Sequence, residues 1–258
     1  MPTAAGLHYF LHEGGSVLKP PLVLLHGAGG DHLSWPPEVR RLPDCRVFTP
    51  DLPGHGKSEG PGCQSIEDYA RSIVSFIDAA GLSRALFVGY SMGGAIALSL
   101  ALDYPDRVAG ISLISTGPRL PIPSSVLENA VHPSTLPLAI KILQEMSLGS
   151  QTPASLKGTA FERQAATRQT LLLSDLLACD RFNVTDRLDA IHTPTLVVCG
   201  TDDKLTPIRF SKTLASRIPG AALQTVDGAG HMLVLEQPRR LARLISVFLA
   251  TIPYLPGM

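Results

Sequence analysis

Residues 89–93 read Gly-Tyr-Ser-Met-Gly, with the apolar run 85–88 before them and Gly94-Ala95-Ile96-Ala97-Leu98 after them. A strand that enters and a helix that leaves would set Ser91 on a sharp bend. Its hydroxyl would be exposed there, and the backbone N–H of Met92 would point into the same space. Such a bend strains its central residue and crowds the positions two before and two after it, where Gly89 and Gly93 stand. The chemistry on offer is nucleophilic attack by a serine hydroxyl. Glycine and serine are common enough that the pentapeptide alone carries little weight. The serine also needs a base, an acid and donors for developing negative charge.

Of the eight histidines, His231 is the one the pattern selects as base. Imidazole titrates near neutrality. Asp227-Gly228-Ala229-Gly230 forms a pliable loop that could carry this ring across a sheet edge. An acid must hold the base in the right tautomer. The run 195–199 ends in Gly200-Thr201-Asp202-Asp203-Lys204-Leu205-Thr206-Pro207, which places two aspartates at the end of a buried strand, where sites of open sheets collect. One would orient the histidine while the other is solvated or bonds the turn. Thr206 is placed to cap the next helix, with Pro207 at its first position. The run ending Ile114-Ser115-Thr116 offers no carboxylate. After 22–25 comes His26-Gly27-Ala28-Gly29-Gly30, whose small residues let backbone approach a substrate. The N–H groups of Ala28 and Met92 are therefore assigned as the oxyanion donors. The loop lacks both G-x-x-x-x-G-K-[ST] and a regular G-x-G-x-x-G, which argues against nucleotide binding.

These residues need a scaffold that brings strand ends together. Short apolar runs at 22–25, 46–49, 85–88, 108–114, 195–199 and 223–226 suit strands buried on both faces of a parallel sheet. Helical spacing joins Ile66, Tyr69, Ala70, Ile73, Phe76, Ile77 and Ala80, and again Leu241, Leu244, Ile245, Phe248 and Leu249. Residues 7–12, with Val17-Leu18, read as a leading hairpin. The alternation predicts an α/β fold with helices on both faces of an open, twisted, mostly parallel sheet. Residues 118–187 contain no strand pattern and only helical stretches at 138–146 and 161–179. They are read as a small helical cap inserted after the sixth strand, with 1–117 and 188–258 forming the core.

The chain of 258 residues suits one large domain. It is 45% hydrophobic, and its 22 basic and 22 acidic residues cancel, so neither nucleic acid nor an anionic membrane is an expected partner. Cys45, Cys63, Cys179 and Cys199 are scattered, without C-x-x-C spacing, so no metal is expected and all four are read as reduced thiols. Residues 1–10 have no basic start and no long apolar stretch, so no signal peptide is expected and the cytoplasm is the expected location. Asn183-Val184-Thr185 matches the glycosylation sequon and is read as chance. No apolar window is long enough to span a membrane.

Taken together, the motifs resemble the α/β-hydrolase family over nearly the whole chain. His26-Gly27-Ala28-Gly29-Gly30 is similar to its oxyanion loop. Residues 51–58 are similar to its D-x-x-G-x-G-x-S loop, and residues 89–94 to its nucleophile elbow. Residues 200–207 match G-x-x-D-x-x-x-P, and Gly230-His231 with Glu236 and Pro238 matches its G-H-x-x-x-x-E-x-P ending. The resemblance implies the α/β-hydrolase fold and a triad of Ser91, Asp203 and His231 without a cofactor. It places the acid at Asp203 rather than Asp202. It assigns Asp51, His55 and Ser58 a structural role. Serine at position 91, in place of aspartate, disfavours the dehalogenase and epoxide-hydrolase branches.

The expected activity is that of a carboxylesterase acting on small to medium apolar esters, in a monomer or small homo-oligomer. Leu120, Ile122, Leu138 and Met146 are the named candidates for substrate binding. With Val126, Leu136, Leu143 and Leu148 they make the cap apolar. Its basic residues, Arg119, Lys141, Lys157, Arg163, Arg168 and Arg181, are too few to indicate a polyanionic substrate. A lactonase or C–C-bond hydrolase is the alternative on the same triad. A lyase of menaquinone synthesis is a further one, against which Ala95 counts, because that enzyme usually carries arginine there. A non-catalytic ligand receptor is the alternative of a different class.

Overall fold

A computed structural model describes residues 2–15, 19–153, 156 and 167–254. Strands β1 (Thr3–Ala4), β2 (Leu7–Glu13), β3 (Leu22–Leu25), β4 (Arg46–Pro50), β5 (Ala85–Tyr90), β6 (Val108–Ile114), β7 (Thr195–Gly200) and β8 (Ala222–Val226) form one sheet, ordered β1-β2-β4-β3-β5-β6-β7-β8. β1 and β2 are antiparallel to their neighbours, and every pairing from β4 through β8 is parallel. Among the described residues, the leading hairpin is made by residues before β2. β1 pairs with β2 across Ala5 and Gly6, both at positive φ as a tight hairpin turn requires. Val17 and Leu18 lie outside the described residues.

The continuous apolar runs arise because the central strands are covered on both sides. Val23 and Leu25 enter one buried layer and Leu22 and Leu24 the other. Helices α2 (Ile66–Ala79), α3 (Met92–Asp103) and, later in the chain, the helix Ile208–Arg217 pack on the first face. The short helix α1 (Pro37–Arg40) and the two C-terminal helices pack on the second. α3 is buried along nearly its whole length, from Met92 to Ala101, so it presents no polar face.

Between β6 and β7 run α4 (Ser124–Ala130), α5 (Leu136–Ser147) and α6 (Gln169–Arg181), with no strand among the described residues. Val126, Ala130, Leu136, Ala139, Ile140, Leu143, Leu172 and Leu176 form a separate apolar cluster against which Ala28, Ile122 and Leu205 pack. Residues 161–166 of the second helical pattern lie outside the described residues. After β7 come α7 (Ile208–Arg217), α8 (Leu233–Glu236) and α9 (Pro238–Leu249). Among the described residues no helix is long and apolar enough to cross a membrane.

Chain order decides where a crevice opens. From β3 the chain leaves toward the α1 face, and from β5 toward the α3 face, although β3 and β5 are adjacent and level at Leu25 and Gly89. Loops that diverge from neighbouring strands leave a gap beyond the strand ends, which is where ligands bind in open α/β sheets.

Candidate active site

Ser91 sits in that gap. It follows β5, precedes α3, and holds φ 54° and ψ −116°. A non-glycine residue in such a conformation stores about 1–3 kcal/mol. The surroundings impose it. Ser91 N–H donates to Ile114 O at 2.9 Å, and Ser91 O accepts Gly94 N–H and the Thr116 hydroxyl, each at 2.9 Å. The flanking glycines are required by contact, not by φ. A Cβ on Gly93 would collide with the carbonyls of Leu25 and His26, and one on Gly89 with the backbone of Gly93.

The loop after β8 delivers His231, which is buried. Its Nδ1–H donates to Asp203 Oδ2 at 2.9 Å, and its Nε2 lies 2.9 Å from Ser91 Oγ, positioned to accept the hydroxyl proton. Asp203 is also buried, and its Oδ1 accepts the N–H groups of Leu205 at 2.9 Å and Thr206 at 2.8 Å. Asp202 turns the other way. It is half-buried and accepts Ser150 N–H at 2.9 Å, and the Ser150 side chain, followed by that backbone bond, holds its carboxyl below the ordinary value.

Thr206 differs from expectation. α7 begins at Ile208 with Pro207 as its cap, and the Thr206 hydroxyl instead donates to Asp203 Oδ2 at 2.6 Å. The final motif also has a physical role here. Glu236 Oε2 accepts Gly230 N–H at 2.6 Å, and its Oε1 accepts Gly149 N–H at 3.2 Å and the Thr152 hydroxyl at 2.6 Å, so the loop carrying His231 is tied down from outside.

The backbone N–H groups of Ala28 and Met92 donate to no other group among the described residues. Both residues border the gap beside Ser91: Ala28 lines the cavity there, and Met92 is the first residue of α3. The peptide linking Gly27 and Ala28 is held by its carbonyl. Gly27 O accepts His26 Nδ1–H at 2.9 Å and Gly30 N–H at 3.0 Å. Since a trans peptide points C=O and N–H in opposite directions, this turns Ala28 N–H away from those partners. His26 is fully buried, and its Nε2 accepts Leu52 N–H at 3.1 Å. That ring is therefore neutral. Burial, followed by the nearby charge of His55, lowers its pKa to about 4.

A cavity of about 370 Å³ opens from Ser91 and His231. Leu120 and Ile122 line it, as do Leu143, Leu171, Leu172 and Leu176. Leu138 does not, because it lies on the outer face of α5 and is half exposed. Met146, off the inward stripe formed by Ala139, Ile140, Leu143 and Ser147, also stays out of the lining. Of the basic residues in this segment, Arg168 reaches the cavity wall, where it donates to Gly54 O at 2.9 Å and Gly60 O at 3.0 Å. Lys157 and Arg163 lie outside the described residues. Tyr90 lines the wall with its ring 5.4 Å from that of His231. Burial, then the carboxylates of Asp203 and Glu236, push its hydroxyl far up, so it stays protonated.

The loop after β4 is organised by Asp51. Its two oxygens accept His32 N–H at 2.7 Å, His32 Nδ1–H at 2.8 Å, His8 Nδ1–H at 2.9 Å and Lys57 N–H at 3.0 Å. His8, His32 and Asp51 are the one cluster of metal-ligand atoms among the described residues. The four hydrogen bonds use the carboxylate's lone pairs, so Asp51 is a hub that shapes the loop. Burial opposes the Asp51 charge, but these bonds outweigh it and lower the carboxyl's pKa.

One functional candidate carries no motif. Asp175 is fully buried on α6, where its carboxylate accepts Gly29 N–H at 2.8 Å, His55 Nε2–H at 2.7 Å and the Tyr69 hydroxyl at 2.6 Å. Its signal was an aspartate inside the apolar helical run Leu171-Leu172-Leu173-Ser174-Asp175-Leu176-Leu177, on the same face as Leu171, Leu172 and Cys179.

Residues 20–238 match the family model described as the alpha/beta hydrolase fold. The chain is 30% identical to a putative carbamate hydrolase, RutD, of Caulobacter vibrioides, across 96% of both chains. It is 31% identical to the 2-hydroxymuconate semialdehyde hydrolase of Pseudomonas putida, across 96% of this chain and 92% of that one. Among solved structures, a thermophilic esterase from Thermogutta terrifontis superposes with a TM-score of 0.85 at 26% identity, covering 96% of this chain and 94% of that one.

Proposed function

The chain belongs to the alpha/beta hydrolase fold family, and from that premise we propose that it is a serine hydrolase whose preferred substrates are small to medium carboxylic esters with an apolar acyl group. The observation that carries the reading is the hydrogen-bonded series Ser91–His231–Asp203, with both links at 2.9 Å.

In this mechanism Ser91 Oγ attacks the ester carbonyl carbon while its proton passes to His231 Nε2. Asp203 holds the Nδ1–H tautomer and stabilises the imidazolium that forms. The carbonyl oxygen becomes an oxyanion beside the N–H groups of Ala28 and Met92. Loss of one such donor typically costs a hundred- to a thousandfold in rate, or about 3–4 kcal/mol. Collapse of the tetrahedral intermediate breaks the bond to the alkoxy group, which leaves as the alcohol with the His231 proton. Water then repeats the sequence on the acyl-enzyme: His231 takes its proton, the acid departs, and Ser91 recovers its hydrogen.

Residues 118–187 act as the cap in this reading. The leucines of α5 and α6 that line the cavity support an apolar acyl group, and the likeness to an esterase supports the ester bond. A C–C-bond hydrolase on the same triad is the second reading, favoured by the likeness to the Pseudomonas putida hydrolase. The deciding experiment is a panel of p-nitrophenyl esters of increasing chain length, with lactones and a vinylogous 1,5-diketone alongside. The proposal expects ester turnover that Ser91→Ala abolishes. Turnover of the diketone alone would favour the second reading, and tight binding without turnover would favour a receptor.

A further inference from the structure

We propose that Asp175 is a positioning residue for the oxyanion hole, acting on Ala28 N–H through Gly29 and through His55. The inference rests on the acyl-transfer reading above and adds to it a residue on a helix that contributes no catalytic group.

Two routes lead from Asp175 to the donor. The direct one is the hydrogen bond from Gly29 N–H at 2.8 Å, which fixes the peptide that follows Ala28. The residues leading into α6 hold the other side of Gly29, since the Thr167 hydroxyl donates to Gly29 O at 2.7 Å. The second route passes through two histidines. His55 Nδ1 faces Pro53 O at 3.0 Å and Nε2 faces Asp175 Oδ2 at 2.7 Å. A carbonyl and a carboxylate only accept, so both ring nitrogens donate and His55 is an imidazolium. Burial opposes that charge, and the Asp175 carboxylate outweighs it, keeping the ring protonated. The His55 ring packs against His26 with centroids 4.9 Å apart, and His26 holds Gly27 O, which belongs to the same peptide as Ala28 N–H. Asp175 thus braces both peptides that flank Ala28.

The consequence is a division of labour. Ser91 and Asp203 are set by the sheet and its loops, and the His231 loop is tied in addition, through Glu236, to Gly149 and Thr152. One oxyanion donor, Met92, is set by the elbow itself. The other is set by the bonds to Gly27 O and braced from both sides by a buried carboxylate on α6.

The test compares Asp175→Asn with Tyr69→Phe. The first removes the charge that holds His55 and weakens the bond to Gly29. The second removes another bond to the same carboxylate, 2.6 Å long, without touching the loop. With a p-nitrophenyl ester, Asp175→Asn is expected to lower kcat by about ten- to a hundredfold with KM changed less than about threefold, and Tyr69→Phe to leave kcat within about twofold. The diagnostic readout is an alkylboronic acid, whose boron bonds to Ser91 Oγ as the serine proton passes to His231, giving an anionic tetrahedral adduct with one hydroxyl in the hole. Its affinity for Asp175→Asn should fall by the same factor as kcat/KM. A role confined to stability would lower the melting temperature of both variants and leave these ratios alone. Retained kcat in Asp175→Asn, or lost kcat with unchanged boronic acid affinity, overturns the positioning role. If Asp175→Asn does not fold, His55→Gln reads the same series one link closer to the loop, with the same paired loss expected and the same unpaired result decisive against it. Failure of the acyl-transfer reading would look different, because the unmodified protein would then neither turn over the ester nor bind the boronic acid.

Discussion

The Oδ2 of Asp203 accepts the Nδ1–H of His231 at 2.9 Å, while the adjacent Asp202 faces away to accept Ser150 N–H. Two aspartates side by side therefore have opposite surroundings. Asp203→Asn should lower kcat by about a thousandfold or more, because an amide no longer holds the required tautomer. Asp202→Asn should stay within about threefold of the unmodified enzyme. Steady-state kinetics on one chromogenic ester decides, and the reverse ranking would move the acid by one position.

Gly93→Ala tests the elbow. Its new Cβ would meet the Leu25 and His26 carbonyls, with rigid backbone on both sides. We expect a loss of about 3 kcal/mol or more in urea unfolding, from overpacking that cannot relax. Gly81→Ala is the comparison: φ there is 69° and nothing lies near the new atom, so the loss should be about 1 kcal/mol.

Much of this was legible from residue types at fixed spacing. Strands buried on two faces leave continuous apolar runs, and a bend that admits only glycine at two positions leaves glycine there. Ser91 and His231 follow such strand ends, so their positions could be read from local pattern, whereas Asp203 is separated from Asp202 only by the family resemblance. The cavity wall could not. Leu138 and Met146 are as apolar as Leu143, but which of them turns inward depends on how α5 is rotated against α4 and α6. Asp175 escaped for a related reason: its three partners lie in separate loops and helices, and no spacing records that. At Thr206 the local pattern points elsewhere: a threonine before proline suits a helix cap, yet the Asp203 carboxylate competes for the same hydroxyl.

Leu143 and Leu138 supply a matched pair for the cavity. Leu143→Trp fills space beside Leu172 and Leu176, whereas Leu138→Trp projects outward. The first should lower kcat/KM for long acyl chains by about tenfold or more and spare acetate esters, and the second should leave the chain-length profile unchanged. Equal effects from the two would place the acyl group elsewhere.

His26 predicts a pH effect with a defined sign. Its folded pKa is lowered to about 4 from an unfolded value of 6.5, mainly by burial. Between those values the unfolded chain binds a proton that the folded chain does not, so stability falls as pH drops through this window. The contribution is fully present above the unfolded value. Its loss approaches about 3 kcal/mol at the acid end. In urea unfolding, the unmodified protein should lose about 2 kcal/mol more than His26→Gln between about pH 7 and about pH 5. Parallel pH profiles would show that the ring is charged in the fold.

The most direct test of the central claim is covalent. A fluorophosphonate reacts only with a serine whose proton has an acceptor at hand, and Ser91 Oγ lies 2.9 Å from His231 Nε2. Mass spectrometry of the labelled protein, paired with residual ester turnover, should find one phosphonyl group on Ser91 and activity lost in proportion to labelling. A label on another residue, with turnover retained, would contradict the account.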